Sequence, residues 1–259
     1  MVRSIFLRNL KGSRLLLWIS FIILIVWSAI STEFSLIKFW LGMENMGALI
    51  MRMLPPEWTV LPEVLRLAVE TLQIAIISTF ISLIVSLPVS FLAAKNVTPN
   101  IVIYHLTRNL LNFLRGVPEL IFALLFVTAV GLGPAAGILA LVAHTTGVLG
   151  KIFAEYIEGA SIGPQEAILA TGANKSQMIM FGILPQVIPD MLAMAFYRFE
   201  VNVRSATVLG FVGAGGIGFY LLTAMRLLNY DIVITCVIVI LLMVSIIDYL
   251  GSYLRFKVI

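Results

Sequence analysis

Charged, amide and hydroxyl side chains are concentrated in one short stretch of an otherwise apolar half of the chain. The stretch contains Arg198, Glu200, Asn202, Arg204, Ser205 and Thr207, and five glycines follow between 210 and 218. A charged side chain in apolar surroundings is costly and marks a candidate functional position. An anion that leaves water needs fixed positive charge, hydroxyl groups or oriented N–H groups in its place. Because the stretch offers all three, we predict that it borders a path for an anion.

Arg204 is the predicted source of positive charge on this path. The complete set of predicted path or gate residues is Asn202, Arg204, Ser205, Thr207, Gly213, Gly215 and Gly216. Arg198 or Arg226 could supply the charge instead, and Arg204 could pair with Glu200 at the i,i+4 spacing of a helix. The glycines could equally serve close helix packing beside a turn.

The composition places the chain in a lipid bilayer. Of its 259 residues, 61% are hydrophobic and 12% are charged, and the mean hydropathy is +1.07. Soluble domains carry about 25% charged residues. At about 20 residues per span, the chain has room for about five to seven membrane helices. The formal net charge of +4 is attributed to basic cytoplasmic segments rather than to nucleic-acid binding.

Apolar runs and turn signals predict an all-α membrane protein with about six spans. Basic residues before the first span and after the last predict that both termini are cytoplasmic. These residues are Arg3, Arg8, Lys11, Arg14, Arg255 and Lys257. We expect an N-terminal part, 1–64, with the first span and an external loop from Thr32 to Glu63, and a core, 65–259. The first span could instead be a cleaved signal peptide, because Ala29-Ile30-Ser31 has the small-x-small form.

Prolines predict irregular helices at two places. At the start of the third span, Pro118 leaves a carbonyl unpaired, which Arg115 and Glu119 can compensate. A snorkelling arginine at a kinked helix start is the alternative. Pro185 and Pro189 predict a break in the fifth span. Small residues that allow close packing occur along the fourth span, at Ala136, Ala140, Ala143, Gly147 and Ala154.

A polar segment at about 157–177 predicts a cytoplasmic loop that contains a short helix. Pro164 suits the first helical position, Glu166 suits the first turn, and Gly172 suits the helix end. A short helix outside the bilayer can fit a cleft on a partner and move as a rigid body. An ordinary polar connection between two spans is the alternative.

No residue pattern indicates a catalytic, metal or cofactor site. Cys236 is the only cysteine, and His105 and His144 are too few for a metal cluster and are typical of helix-to-helix hydrogen bonds. The segment 147–152 is similar to a phosphate-binding loop, but Thr145 stands where its first glycine belongs and its magnesium-binding hydroxyl is missing. We therefore predict that the chain is not an enzyme and does not bind ATP itself.

The cytoplasmic loop resembles that of ABC importer permeases, which docks the ATP-hydrolysing subunit. The resemblance implicates six residues in coupling to that subunit, namely Glu166, Ala167, Gly172, Ala173, Leu184 and Pro185. Ile168 stands where the family has a second alanine, and Gly182 stands where it usually has isoleucine. Arg115-x-x-Pro118-Glu119-Leu120 resembles the same superfamily, whose methionine and glycine betaine permeases share both patterns.

A more specific resemblance, carried by 131–159 and 202–218, is to the permeases of phosphonate-type ABC importers, which include phosphite and phosphate relatives. It covers roughly residues 65–255. It implies a type I permease bundle in a bacterial inner membrane that moves a phosphorus oxyanion into the cytoplasm. The implied partners are a second copy of the chain, two ATP-binding subunits that hold ATP and Mg, an external binding protein and membrane lipid. A methionine or glycine betaine permease is the alternative, and a stand-alone secondary transporter is less favoured because its usual internal repeat is not evident.

Overall fold

The computed structural model describes the backbone of residues 2–258 and the side chains of 17–35, 37–43 and 45–255. Within this part of the chain every regular element is helical. The α-helices are α1 (Val2–Ser31), α2 (Leu36–Arg52), α3 (Leu61–Ala93), α4 (Ile101–Gly116), α5 (Glu119–Val130), α6 (Pro134–Gly159), α7 (Ile162–Ala170), α8 (Lys175–Met178), α9 (Leu184–Leu209), α10 (Gly216–Arg226) and α11 (Tyr230–Val258). The chain separates into two compact units, Met1–Arg52 and Met53–Ile259. The boundary expected at residue 64 lies inside α3.

The first unit consists of α1 and α2, and α2 corrects the sequence prediction. An external loop was expected from Thr32 to Glu63, but Leu36–Arg52 is helical. Leucine, methionine, alanine and glutamate favour a helix in this segment, and the prolines that suggested a loop, Pro55 and Pro56, follow its end. Basic side chains predicted to hold the termini in the cytoplasm lie outside the described side chains: Arg3, Arg8, Lys11, Arg14 and Lys257.

Four helical segments are long and apolar enough to cross a membrane: Trp58–Ala93, Pro134–Gly159, Lys175–Val212 and Tyr230–Arg255. Helices α4 and α5 pass the same test only as a pair, and they meet at an angle of 89°. These five segments lie in the second unit, and the shorter apolar helix Leu17–Ser31 lies in the first. The all-α membrane fold is confirmed, whereas six crossings and cytoplasmic termini stay predictions.

Helices α3 and α6 form the centre of the second unit, and α4, α5 and α9 pack on them. Glycines of α6 let α4 approach closely. A Cβ atom on Gly147 would lie 2.6 Å from the backbone nitrogen of Arg115, and one on Gly150 would lie 2.7 Å from Cδ2 of Leu111. The close packing predicted from small residues of this span is therefore confirmed, with Ala136, Ala140, Gly147 and Ala154 all buried.

The short helix predicted in the segment at about 157–177 is confirmed as α7, although it begins earlier than predicted. It starts at Ile162, so Pro164 is its third residue and Glu166 lies beyond its first turn. Proline is tolerated there because the first N–H groups of a helix have no helical partner. Gly172 follows the helix with φ of +84°, a left-handed conformation that favours glycine.

The break predicted at Pro185 and Pro189 is wrong in position. Helix α9 runs through both prolines from Leu184 to Leu209, and the irregularity lies before it, in a π-helical turn at Ile179–Ile183. Pro185 falls in the first turn, where a missing N–H costs nothing. The π-helical turn packs against α7 at Gly182, where a Cβ atom would lie 3.2 Å from Cα of Gln165. The glycine that departs from the family pattern thus permits this close contact.

Candidate functional site

A buried polar cluster joins three central helices. The Asn202 amide nitrogen of α9 donates to the Thr79 hydroxyl of α3 at 2.9 Å, and the Thr145 hydroxyl of α6 donates to the Asn202 amide oxygen at 2.9 Å. Arg198 donates to the Thr145 hydroxyl at 3.2 Å and is only 7% exposed. These side chains hold α9 against the centre of the bundle and are all buried.

His144 of α6 and Glu119 of α5 connect the bend between α4 and α5 to α6 and α9. Nδ1 of His144 lies 3.1 Å from the Val117 carbonyl oxygen and acts as the donor, since a carbonyl only accepts. Nε2 of His144 lies 3.7 Å from a Glu119 carboxylate oxygen, and the other oxygen accepts from the Ser205 hydroxyl. His144 thus makes the predicted helix-to-helix bond. Arg115, expected to compensate Pro118, is exposed instead.

The glycine-rich turn after α9 is tightly packed. Gly213, Gly215 and Gly216 have φ values of +91°, +80° and +69°. The Gly216 N–H donates to the Glu70 carboxylate at 3.0 Å, and the Ile217 N–H donates to the Thr71 hydroxyl at 3.0 Å. The N–H groups at the start of α10, which could have faced a transported anion, therefore donate to a carboxylate and a hydroxyl of α3. No sequence pattern singles out Glu70.

Arg204 points away from the buried cluster and toward α11. Its guanidinium lies 3.6 Å from the Asp248 carboxylate, and the two side chains are 48% and 42% exposed. Glu200 pairs with Arg255 instead, so the alternative pairing of Glu200 with Arg204 is wrong. The i,i+4 spacing allows Glu200 and Arg204 to pair within a helix, but each instead meets an oppositely charged side chain of α11.

Arg204 lies near the middle of the bundle in depth. It is two residues from Asn202, which bonds to Thr79 in the middle of α3. A half-exposed ion pair at this depth is unfavourable in lipid and requires water or protein on its open side. Thr207 is buried, and its hydroxyl bonds to the Val203 carbonyl of its own helix. Of the predicted path residues on α9, Arg204 is the one with a substantially open side chain.

The residues predicted for coupling lie in α7, in the turn after it and at the start of α9. Glu166, Ala167, Gly172 and Pro185 are exposed, whereas Ala173 and Leu184 are half-buried. None of the nine residues of α7 is buried. A surface cavity of about 390 Å³ opens beside the helix end, lined by Ile168, Thr171, Gly172, Ala173, Gln177 and Phe181. A short, exposed helix beside a cavity is suited to contact another protein.

A helical bundle with several apolar spans, a polar cluster inside it and a charged pair at mid-depth has the architecture of a membrane transport protein. The chain belongs to the family described as "binding-protein-dependent transport system inner membrane component", whose model matches residues 86–259.

Two curated relatives are similar over most of this chain. The phosphite transport system permease protein PtxC of Stutzerimonas stutzeri is 42% identical over 214 residues, which are 83% of this chain and 78% of that protein. The phosphate-import permease protein PhnE of Mycolicibacterium smegmatis is also 42% identical over 214 residues, which are 83% of this chain and 40% of that protein.

A solved structure of the MetNI methionine ABC transporter matches with a TM-score of 0.68 and 21% identity, covering 78% of this chain and 99% of that one. This likeness confirms the type I permease fold. The chain is therefore the permease subunit of an ABC importer, a non-catalytic, multi-pass component of the inner membrane. Its family works with an ATPase and a binding protein.

Proposed function

We propose that the chain carries a phosphorus oxyanion, such as phosphite, phosphate or a phosphonate, into the cytoplasm. The observation that supports this cargo is the 42% identity to permeases named for phosphite and for phosphate. The methionine transporter is 21% identical and supports the fold alone. A positive side chain with an open face at mid-depth is consistent with a negatively charged cargo.

The α9–α11 face is proposed to meet a second copy of the chain. Arg204 and Asp248 lie on this face, and exposed Tyr197, Ser245 and Ser252 are on the same two helices. Contact with lipid is unfavourable for an ion pair that is about half exposed, so protein or water is expected to cover this face. Two copies related by a two-fold axis would place the two faces opposite each other and enclose a polar path between them.

Arg204 is proposed to lower the electrostatic barrier on this path. Its charge attracts an oxyanion, while Asp248 keeps the attraction weak enough for release. The buried hydroxyl and amide groups of Asn202, Ser205 and Thr207 would support the path by holding α9 in place. The turn that contains Gly213, Gly215 and Gly216 is proposed to form the gate, because its position between α9 and α10 lets it respond to their movement.

The ATP-binding subunits are proposed to dock on α7 and the turn that follows it. Exposed Glu166 and Ala167 would enter a cleft on the ATPase, and Gly172 would permit close backbone contact. Ala173, Leu184 and Pro185 would shape the base of the docking loop. ATP and Mg²⁺ would be held by these partners, and the permease itself is proposed to need no cofactor.

Uptake of radiolabelled phosphate tests the proposed cargo. The chain, its ATPase and its binding protein would be expressed in a bacterial strain that lacks other phosphate importers. We expect uptake of phosphate, or competition for the binding protein by phosphite or methylphosphonate, and no competition by methionine or glycine betaine. A matched strain without the ATPase gives the background. Chain-dependent uptake of labelled methionine, with no effect of any phosphorus oxyanion, would exclude the proposal.

A further inference from the structure

The side-chain carboxamide of Gln186 joins the two ends of the loop that contains α7. The backbone N–H of Ser161, just before α7, donates to Oε1 of Gln186 at 3.0 Å. Nε2 of Gln186 donates back to the Ser161 carbonyl at 3.3 Å. The two hydrogen bonds connect positions 25 residues apart in the chain. The first turn of α9 is therefore hydrogen-bonded to the residue that precedes α7.

The same carboxamide also reaches the π-helical turn. Nε2 of Gln186 donates to the carbonyl of Gly182, and Gly182 packs against Gln165 of α7. From the other side, Nε2 of Gln165 donates to the carbonyls of Ala160 and Ser161, each at 3.1 Å. Two glutamine side chains thus fix the backbone that leads into α7.

The end of α6 before this point is anchored separately. The Glu158 carboxylate accepts from the backbone N–H of Lys95 at 2.7 Å and from Arg108 of α4 at 3.0 Å. Movement of α7 cannot simply be absorbed by bending this end of α6. Movement of α7 can reach α9 through the hydrogen bonds of Gln186 and through the contact of Gln165 with Gly182 in the π-helical turn.

We propose that Gln186 is a positioning residue that makes the segment 161–186 one rigid lever attached to α9. This inference rests on the proposed docking of the ATPase at α7. Helix α7 has no buried residue of its own, so the hydrogen bonds of the Gln186 carboxamide add to the contact of Gln165 with Gly182 in fixing α7 to the start of α9. With the carboxamide in place, displacement of α7 moves the N-terminal end of α9, and the rigid helix carries that movement to Arg204.

The hydrogen bonds between Ser161 and Gln186 can be weakened by a substitution at either residue. Gln186→Leu removes the carboxamide at similar volume. Ser161→Pro removes the backbone N–H, and the backbone already suits proline because φ is −57° at Ser161 and ψ is 137° at Ala160. Ser161→Ala is the matched control, because it removes the hydroxyl and keeps the N–H.

Each variant would be purified with its ATPase and reconstituted with the binding protein, using phosphite as the probe. We expect Gln186→Leu and Ser161→Pro each to lower phosphite transported per ATP by about three- to tenfold, the range of one or two lost hydrogen bonds. ATPase should still co-purify, and Ser161→Ala should behave as wild type. Because Gln186→Leu already removes both hydrogen bonds to Ser161 and Ser161→Pro removes one of the same two, the double variant should be no worse than Gln186→Leu alone. Hydrogen exchange in 162–170 should be faster in both single variants.

Unchanged transport per ATP in both single variants, or additive losses in the double variant, would overturn the role of Gln186. If one variant fails to assemble, the other still decides the question, because the two changes lie on opposite sides of the link. Failure of the proposed docking has a different signature: wild-type protein would not co-purify with the ATPase, or cross-links from Glu166 would not reach it.

Discussion

Arg204→Gln is expected to lower oxyanion transport per ATP by about tenfold, which corresponds to about 1.4 kcal/mol of added barrier. Arg204 is half exposed at mid-depth and is balanced by a single carboxylate at 3.6 Å, that of Asp248. Its removal leaves Asp248 to repel an anion. Basal ATPase activity and assembly should persist, because neither side chain belongs to the buried cluster. Transport and ATP hydrolysis would be measured together in proteoliposomes.

Two further variants distinguish charge from structure. Arg204→Lys keeps the positive charge and should retain most transport, although it loses the planar guanidinium. Arg226→Gln is the matched control, since Arg226 is an exposed arginine in the last turn of α10. Wild-type transport in Arg204→Gln, or an equal loss in Arg226→Gln, would contradict a path bordered by Arg204.

The second large effect is expected from Asn202→Leu. Asn202 is fully buried and connects α3, α6 and α9 through Thr79 and Thr145. The change leaves two hydroxyls without their amide partner, and we expect a loss of about 1–4 kcal/mol in stability. Thermal unfolding in detergent would show this loss as a lower midpoint. Oxyanion transport should fall along with the amount of folded protein.

A double variant provides the control for this prediction. Thr79→Val in the Asn202→Leu background replaces both members of one hydrogen bond by apolar groups. It should recover part of the lost stability, because the Thr79 hydroxyl that lost its amide donor is removed as well. A midpoint unchanged in Asn202→Leu, or a purely additive double variant, would mean that the cluster does not hold these helices together.

Sequence reasoning located the polar stretch of α9 because charges in an apolar segment are conspicuous. It also found the short helix α7, since Gly172 marks the helix end and an exposed helix needs no distant partner. It did not find Thr79, Thr145 or Glu70, which join this stretch from α3 and α6. Thr79 is 123 residues from Asn202 in the chain, and a threonine in an apolar helix has no pattern that names its partner.

The wrong predictions have a common cause, which is that local spacing does not determine which partner a side chain meets in the folded protein. Glu200 and Arg204 have ideal helical spacing, yet each binds a residue of α11. Pro185 and Pro189 suggested a break, but the π-helical turn at Ile179–Ile183 takes up the irregularity before them. A π-helical turn has no sequence signature comparable to that of a cap or a β-turn.

Binding-protein-dependent transport by the purified complex tests the central claim most directly. The permease, its ATPase and its binding protein would be placed in proteoliposomes, and phosphite, phosphate and methylphosphonate would each be offered against methionine. We predict ATP-dependent accumulation of at least one phosphorus oxyanion and none of methionine. Accumulation of methionine without any of the three oxyanions would contradict the proposed cargo.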